Sequence, residues 1–245
     1  MLDFIVYSHS SYKKILEIQT DYLKGKGNLI LFINQNQEDF DSIYLNYSKI
    51  VFYDDSDQYA KRLINCLNQI ELNYFIFIHD IDILISFDEE ILKKFSNLMV
   101  DKKIDRIDLK YTENNYSELN IELDFGKKIN LVLQKDINNF IYNVNPSIWD
   151  KKTFLKILNQ FPYKTYRDIE NRDVQGFAEQ FNVYKVNSEN KLLCGYFECV
   201  DFFKFLHISH SGRILTYNKQ FVTEYNQSYI DAKDDFEHII SKYKL

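Results

Sequence analysis

Apolar positions along the chain fall into short runs of two kinds. "DFIVYS" (Asp3 to Ser8), "NLILFIN" (Asn28 to Asn34) and "KIVFYD" (Lys49 to Asp54) are continuous apolar stretches closed by polar residues, the pattern of strands buried on both faces. Between them the spacing becomes helical. Ser11 to Leu23 carries Ile15, Leu16, Ile18 and Leu23 on one stripe, with Ser10 or Ser11 as its cap, and Gln58 to Ile70 repeats the period. A further strand follows through "NYFIFIHDIDILISF" (Asn73 to Phe87). Strand and helix thus alternate through the first 80 residues, which predicts a parallel sheet with helices on both faces in the nucleotide-binding style.

Beyond that point the pattern changes. Ile91 to Val100 is helical, whereas "RIDLKY", "LNIELDF" and "INLVLQK" alternate apolar and polar residues as half-exposed strands do. Asp150 to Phe161 reads as a helix capped by Asp150 and stopped by Pro162, and "VQGFAEQF" as another. "VYKV", "LLCGYFECV" and "KFLHI" read as late strands, and "YIDAKDDFEHIISKYKL" as a closing amphipathic helix. No Pro/Gly/Ser linker divides the chain, so one α/β domain is expected over residues 1–245, with a mixed α+β second half that caps the sheet and takes a second substrate.

Composition narrows the function classes. With 20 Phe, 19 Tyr and only 2 Pro and 6 Gly, the chain has ample material for a packed core and none of the bias of a low-complexity segment. A net charge of −6 leaves no basic surplus for a phosphate backbone, so nucleic acid is not the expected partner. No stretch reaches the roughly 20 apolar residues of a membrane span. The N-terminus "MLDFIVYSHSSYKK" fits neither a signal peptide nor an anchor, and Cys66, Cys194 and Cys199 lack paired spacing. A cytoplasmic protein with free thiols is the expectation.

The polar residues that interrupt the runs carry the chemistry. In open α/β sheets, ligands sit beyond the carboxyl ends of the strands. Ser8, His9 and Ser10 follow the first strand, Asp54 and Asp55 the third, and His79, Asp80 and Asp82 the fourth. In an extended segment residues two apart point the same way, so Asp80 and Asp82 would present two carboxylates about 6–7 Å apart. Two hard oxygen ligands suit Mg²⁺ or Mn²⁺, which take their remaining ligands from water and substrate phosphates. The opposing reading is a pair of solvated acids, since "DFD" and "DSD" also occur, at Asp39 to Asp41 and Asp55 to Asp57.

"YAKRLINCLNQIELNYFIFIHDIDIL" resembles the segment of GT-A-type glycosyltransferases in which an Arg-Leu-bearing helix leads into a strand ending in an acidic metal motif. "NPSIWDKKTFLKIL" followed by "YRDIE" resembles the acceptor side of small bacterial and viral rhamnosyltransferase-like enzymes. The departure is "FPYKTYRDIE", which stands where those enzymes carry a Trp-containing run. The resemblance implies a GT-A-like mixed sheet, with residues 1–100 as the donor-nucleotide half and residues 101–245 as the acceptor half. It also implies a nucleotide-sugar donor with UDP as carrier, a divalent metal (Mn²⁺ or Mg²⁺) at Asp80 and Asp82, and a hydroxyl of a glycan or glycoconjugate as acceptor. The setting it implies is a bacterial cytoplasm, or a host cytoplasm if the chain is viral.

Within that frame His9, Asp54, Asp55 and Arg62 are candidates for the nucleotide, although His9 is equally a turn residue and Arg62 a surface arginine. The resemblance gives a late histidine to the metal or diphosphate, for which His207 and His210 in "FLHISHSGRI" are candidates; His207 is alternatively a core histidine. Trp149 either stacks on a sugar or fills the core. For an inverting transfer a base must take the acceptor proton. Glu170 matches the position after a hydrophobic residue in the resembling enzymes, with Asp173 in reserve because it is also a candidate helix N-cap. Two other classes stay open: a metal-dependent nucleotidyltransferase and a non-catalytic carbohydrate-binding protein. No Gly-rich dinucleotide fingerprint, phosphate-loop lysine motif or nucleophile elbow is present.

Overall fold

The computed structural model describes residues 2–35, 38–113, 120–124, 126–135, 141–162, 164–165, 168, 171–194, 198–210, 213–214 and 230–244. The first half runs β1 (Asp3–Tyr7), α1 (Lys13–Leu23), β2 (Asn28–Ile33), α2 (Asp41–Tyr44), β3 (Lys49–Phe52), α3 (Tyr59–Leu67), β4 (Tyr74–His79), β5 (Asp82–Phe87) and α4 (Glu89–Lys102). The second runs β6 (Arg106–Tyr111), β7 (Ile121–Asp124), β8 (Lys128–Leu133), β9 (Ser147–Asp150), α5 (Lys151–Gln160), α6 (Arg172–Ala178), β10 (Val183–Ser188), β11 (Lys191–Leu193), β12 (Glu198–Val200), β13 (Phe203–His207), β14 (Ser209–His210), β15 (Arg213–Ile214) and α7 (Lys233–Tyr243).

The main sheet has the order β3-β2-β1-β4-β9-β6-β10-β8-β7. Its first four strands are mutually parallel, as the alternation predicts, while β9 lies antiparallel between β4 and β6. The continuous apolar runs of β1, β2 and β4 are explained by burial on both faces; β3, also expected to be buried, is the edge strand, with Phe52 45% exposed. Phe4 and Val6 of β1 join one core with α1 and α4, while Ile5 and Tyr7 join the other with α3, α5 and α6. The predicted Asp150 cap is present, its Oδ2 accepting from the Thr153 N–H at 2.8 Å.

Several local expectations are corrected. Asn73 to Phe87 is two strands broken at Asp80–Ile81, because the hydrogen-bonding partner changes: β4 pairs with β1 and β9, whereas β5 pairs antiparallel with β13. "LLCGYFECV" likewise divides into β11 and β12. "RIDLKY" is not half-exposed; it is a central strand in which Arg106 and Asp108 are both 0% exposed. The first helix begins as a 3₁₀ turn at Ser10–Tyr12 capped by the His9 ring, not by Ser10 or Ser11. Trp149 is a core residue, stacked on Phe154 at 4.6 Å with the Arg106 guanidinium over its ring. No helix among the described residues is long and apolar enough to cross a membrane.

Candidate functional site

The strand order reverses between β1 and β4, and the carboxyl ends of these strands, with the turn after β3, open onto a cleft of about 570 Å³. Its wall is aromatic. Tyr7, the last residue of β1, stacks on Tyr53 at 5.2 Å and meets Tyr59 edge-on at 5.4 Å. The Tyr53 hydroxyl donates to the Ser8 carbonyl at 2.8 Å, and the Arg62 guanidinium lies 5.2 Å from the Tyr53 ring centre. Burial pushes the Tyr7 and Tyr53 phenols up, which keeps both protonated.

A polar knot forms the rim. Asp55 Oδ2 lies 3.1 Å from His9 Nε2 and accepts from Asn34 Nδ2 at 2.7 Å, while Arg62 approaches Oδ1 at 3.3 Å. Arg62 also donates to the carbonyls of Asp55 and Asp57, so α3 is tied to the turn that precedes it. His9, Asp55 and Arg62 therefore converge on the cleft as the strand-end rule predicts. Asp54 does not: it is exposed, and its carboxylate closes the turn by accepting from the Ser56 N–H at 2.8 Å.

Asp80 lines the cleft floor yet is only 6% exposed. Its Oδ2 accepts from Ser8 Oγ at 3.0 Å and from the His9 N–H at 3.2 Å, and its own N–H donates to the Tyr7 carbonyl at 3.0 Å. Desolvation outweighs these bonds and, with the nearby Asp82 charge, pushes the carboxyl up to about 7. The preceding residue, His79, is pressed by burial down to about 3, and its Nε2 sits 2.6 Å from the Tyr59 hydroxyl.

The turn at Asp80–Ile81 overturns the expectation that Asp80 and Asp82 share one side of an extended strand. Asp80 faces the end of β1, whereas Asp82, 1% exposed, is paired in register with His207 of β13, whose Nδ1 lies 2.9 Å from Asp82 Oδ1. Burial raises the Asp82 carboxyl and the His207 contact lowers it, with burial the larger effect. His207 is thus both a core residue, 6% exposed, and the partner of a candidate ligand. Among the described residues no three His, Cys, Asp or Glu side chains converge as a ready metal site.

His210 pairs through its backbone with Arg213, and its side chain is outside the described residues, as is Glu170. Asp173 is an exposed residue in the first turn of α6, where the N-cap is Asn171, whose Oδ1 accepts from the Val174 N–H at 3.2 Å. The segment before α6 reaches the cleft. The Ala60 N–H at the start of α3 donates to the Lys164 carbonyl at 3.4 Å, and Thr165 contributes to the cleft wall. Asn34, which follows β2, is a strand-end residue that the sequence expectation omits; the same rule applied to the second strand points to it.

The architecture is thus a nucleotide-binding type of α/β fold, its cleft at the switch point of the sheet. No protein-family model and no curated protein sequence matches the chain. Among solved structures it superposes on Staphylococcus aureus TarS residues 1–349 in complex with UDP-GlcNAc with a TM-score of 0.51 at 14% identity, over 81% of this chain and 58% of that one. Less similar are the bifunctional IspDF of Campylobacter jejuni (TM-score 0.43, 13% identity, 77% and 50% coverage) and apo UDP-glucose pyrophosphorylase (0.46, 11%, 77% and 92%). The fold is thus one shared with the TarS fragment, and the chain spans somewhat over half the length of that fragment.

Proposed function

We propose that the chain is a metal-dependent glycosyltransferase that moves a sugar from a nucleoside-diphosphate donor, UDP in the first instance, to a hydroxyl of a glycan or glycoconjugate. The observation that carries this reading is the buried Asp80 carboxylate after β4, on the floor of an aromatic cleft that also presents a guanidinium, with a second buried acid, Asp82, two residues on. The neighbour with UDP-GlcNAc bound supports the choice of nucleotide sugar as the first donor to test. Residues 1–100 would form the donor half and residues 101–245 the acceptor half.

Each group has a part in this scheme. Tyr7 and Tyr53 offer a stacking wall for a base, and Asp55 and Arg62 an acceptor and a donor for its edge or the ribose. Asp80 and Asp82 fit a hard divalent cation in kind, being buried carboxylates, and His207 would be a nitrogen ligand or hold Asp82 in place. Such an ion takes only one or two protein carboxylates and completes its shell with phosphate oxygens and water, so the lack of a three-ligand cluster among the described residues is no obstacle. When bound, it would stabilise the departing diphosphate as a Lewis acid. On the acceptor side Glu170, with Asp173 as second choice, would remove the hydroxyl proton for an inverting transfer.

The test is a thermal-shift panel of nucleotide sugars with and without Mn²⁺. A ligand at 100 times its dissociation constant adds about 2.7 kcal/mol of stability, and the shift should require both components. Asp82→Ala should abolish the Mn²⁺-dependent UDP shift while leaving the circular dichroism spectrum unchanged; an alanine variant that binds as wild type does removes the metal assignment. Products decide the reaction: release of UDP supports glycosyl transfer, and release of pyrophosphate would reassign the chain as a nucleotidyltransferase.

A further inference from the structure

We propose that Asn34 is a positioning residue of the cleft, holding the Asp55 carboxylate in the orientation in which a nucleoside diphosphate meets it. This rests on the nucleotide reading above and adds to it a residue with no predicted role. Asn34 is 8% exposed and divides its amide between two strand ends. Oδ1 accepts from the Ser10 N–H, beyond β1, at 2.7 Å, and Nδ2 donates to Asp55 Oδ2, beyond β3, at 2.7 Å.

His9 supplies a second donor, and its tautomer is fixed locally. The Ser11 N–H donates to His9 Nδ1 at 3.0 Å, which assigns the ring proton to Nε2, 3.1 Å from Asp55 Oδ2. Arg62 adds an ion pair, its guanidinium 3.3 Å from Oδ1. A carboxylate has about four lone-pair positions, so the two donors on Oδ2 leave Oδ1, beside the Arg62 guanidinium, with about two. The Asp55 side chain is 45% exposed, and the cleft is where it is open. An aspartate in a turn would otherwise rotate freely. Held from three elements, it offers a ligand hydroxyl or base N–H an acceptor whose ordering cost was met on folding.

Only an amide can do this at position 34. An aspartate there would keep the acceptor for Ser10 but set carboxylate against carboxylate, and an alanine would leave Asp55 with His9 and Arg62 alone and without its 2.7 Å amide donor. The experiment compares Asn34→Asp, Asn34→Ala and the exchange Asn34→Asp/Asp55→Asn with the wild type. Each is titrated calorimetrically with UDP, GDP, CDP and ADP in the presence of Mn²⁺, and each is melted. Both single variants should weaken the nucleotide that wild type binds by about tenfold or more, the range for a hydrogen bond to a charged group.

The exchange separates positioning from mere structure. It should recover the melting temperature lost in Asn34→Asp, because amide and carboxylate have traded places and the one still donates to the other. It should not recover the affinity, because the carboxylate has left the cleft. Wild-type affinity in the single variants, or affinity restored together with melting temperature in the exchange, overturns the proposal. If Asn34→Asp does not fold, Asn34→Ala and the exchange carry the comparison. A wild type that binds none of the four nucleotides overturns the nucleotide reading itself, and this inference with it.

Discussion

His79 and Asp80 are neighbours that burial drives in opposite directions, His79 from 6.5 down to about 3 and Asp80 from 3.8 up to about 7. As pH falls from 6.5, unfolded His79 takes up a proton that the folded residue refuses, so its contribution to stability falls toward acid. Asp80 works the other way: as pH rises from 3.8 the unfolded carboxyl loses a proton that the folded one keeps until about 7, so stability drains away toward neutrality. The two trends oppose each other in mild acid, and only the Asp80 trend remains above 6.5. Asp80→Asn removes one limb. Without metal, its melting temperature relative to wild type should climb with pH between about 4 and 7 and level off beyond. A difference independent of pH would mean that Asp80 is not held protonated in the folded state. For wild type, Mn²⁺–UDP affinity should rise from about pH 6 to about pH 8 as the carboxyl ionises, measured by the same titration at each pH.

At the scale of elements, what could be read in the chain depended on where the partners lie. β1, β2 and β4 are legible because both faces are apolar, and α5 because its Asp150 cap and Pro162 stop are local signals. The break at Asp80 is not, because Ile81 and Ile83 continue the apolar run and the strand that captures Asp82 ends at His207, far along the chain. β6 misleads for a different reason. Its polar positions are occupied by a buried ion pair: Arg106 donates to the Ile141 carbonyl at 2.7 Å and lies 3.5 Å from Asp108, while Asn143 donates to Asp108 at 2.8 Å. Hydropathy alone cannot tell such a pair from a solvated face. Arg106→Leu should cost about 3–5 kcal/mol in urea unfolding, because Asp108 is left buried without the guanidinium beside it, and Arg106→Leu/Asp108→Leu should cost less than the sum of the single changes. Additive costs would show that the pair is not coupled. The amide of Gln175 on α6 is equally committed, donating to the Tyr142 carbonyl at 2.7 Å and accepting from its N–H at 2.8 Å. A helix of this length does not hold itself; Gln175→Leu should destabilise by about 2–3 kcal/mol, the cost of removing the amide from two buried backbone groups.

For the whole molecule, the sheet joins a parallel sector, β3-β2-β1-β4, to a sector of mixed direction through β9, and the chain folds the second sector back onto the first. The Lys164 carbonyl meets the start of α3, Thr165 enters the cleft wall, the Asp168 N–H donates to the Thr165 carbonyl at 3.1 Å, and the Asn171 N–H donates to the Asp168 carbonyl at 3.2 Å. Asn171 then caps α6, with Asp173 in its first turn. In sequence Glu170 and Asp173 follow Thr165, and Asp173 is exposed in the first turn of α6. The Lys164 contact is the whole-molecule reason to test the acids that follow it, and local sequence could not show it, because α3 lies about 100 residues earlier. Glu170→Gln should keep Mn²⁺-dependent UDP binding and lose turnover by roughly 10²-fold or more, because a positioned base contributes about that much and donor binding does not need it. Asp173→Asn should bind the donor equally and lose far less. The reverse ranking would move the base to Asp173. Unchanged turnover in both variants, or a product that retains the donor's anomeric configuration by NMR, would exclude a base on this segment and an inverting transfer respectively, while leaving the cation site at Asp80 and Asp82 to stand or fall on the Asp82→Ala titration.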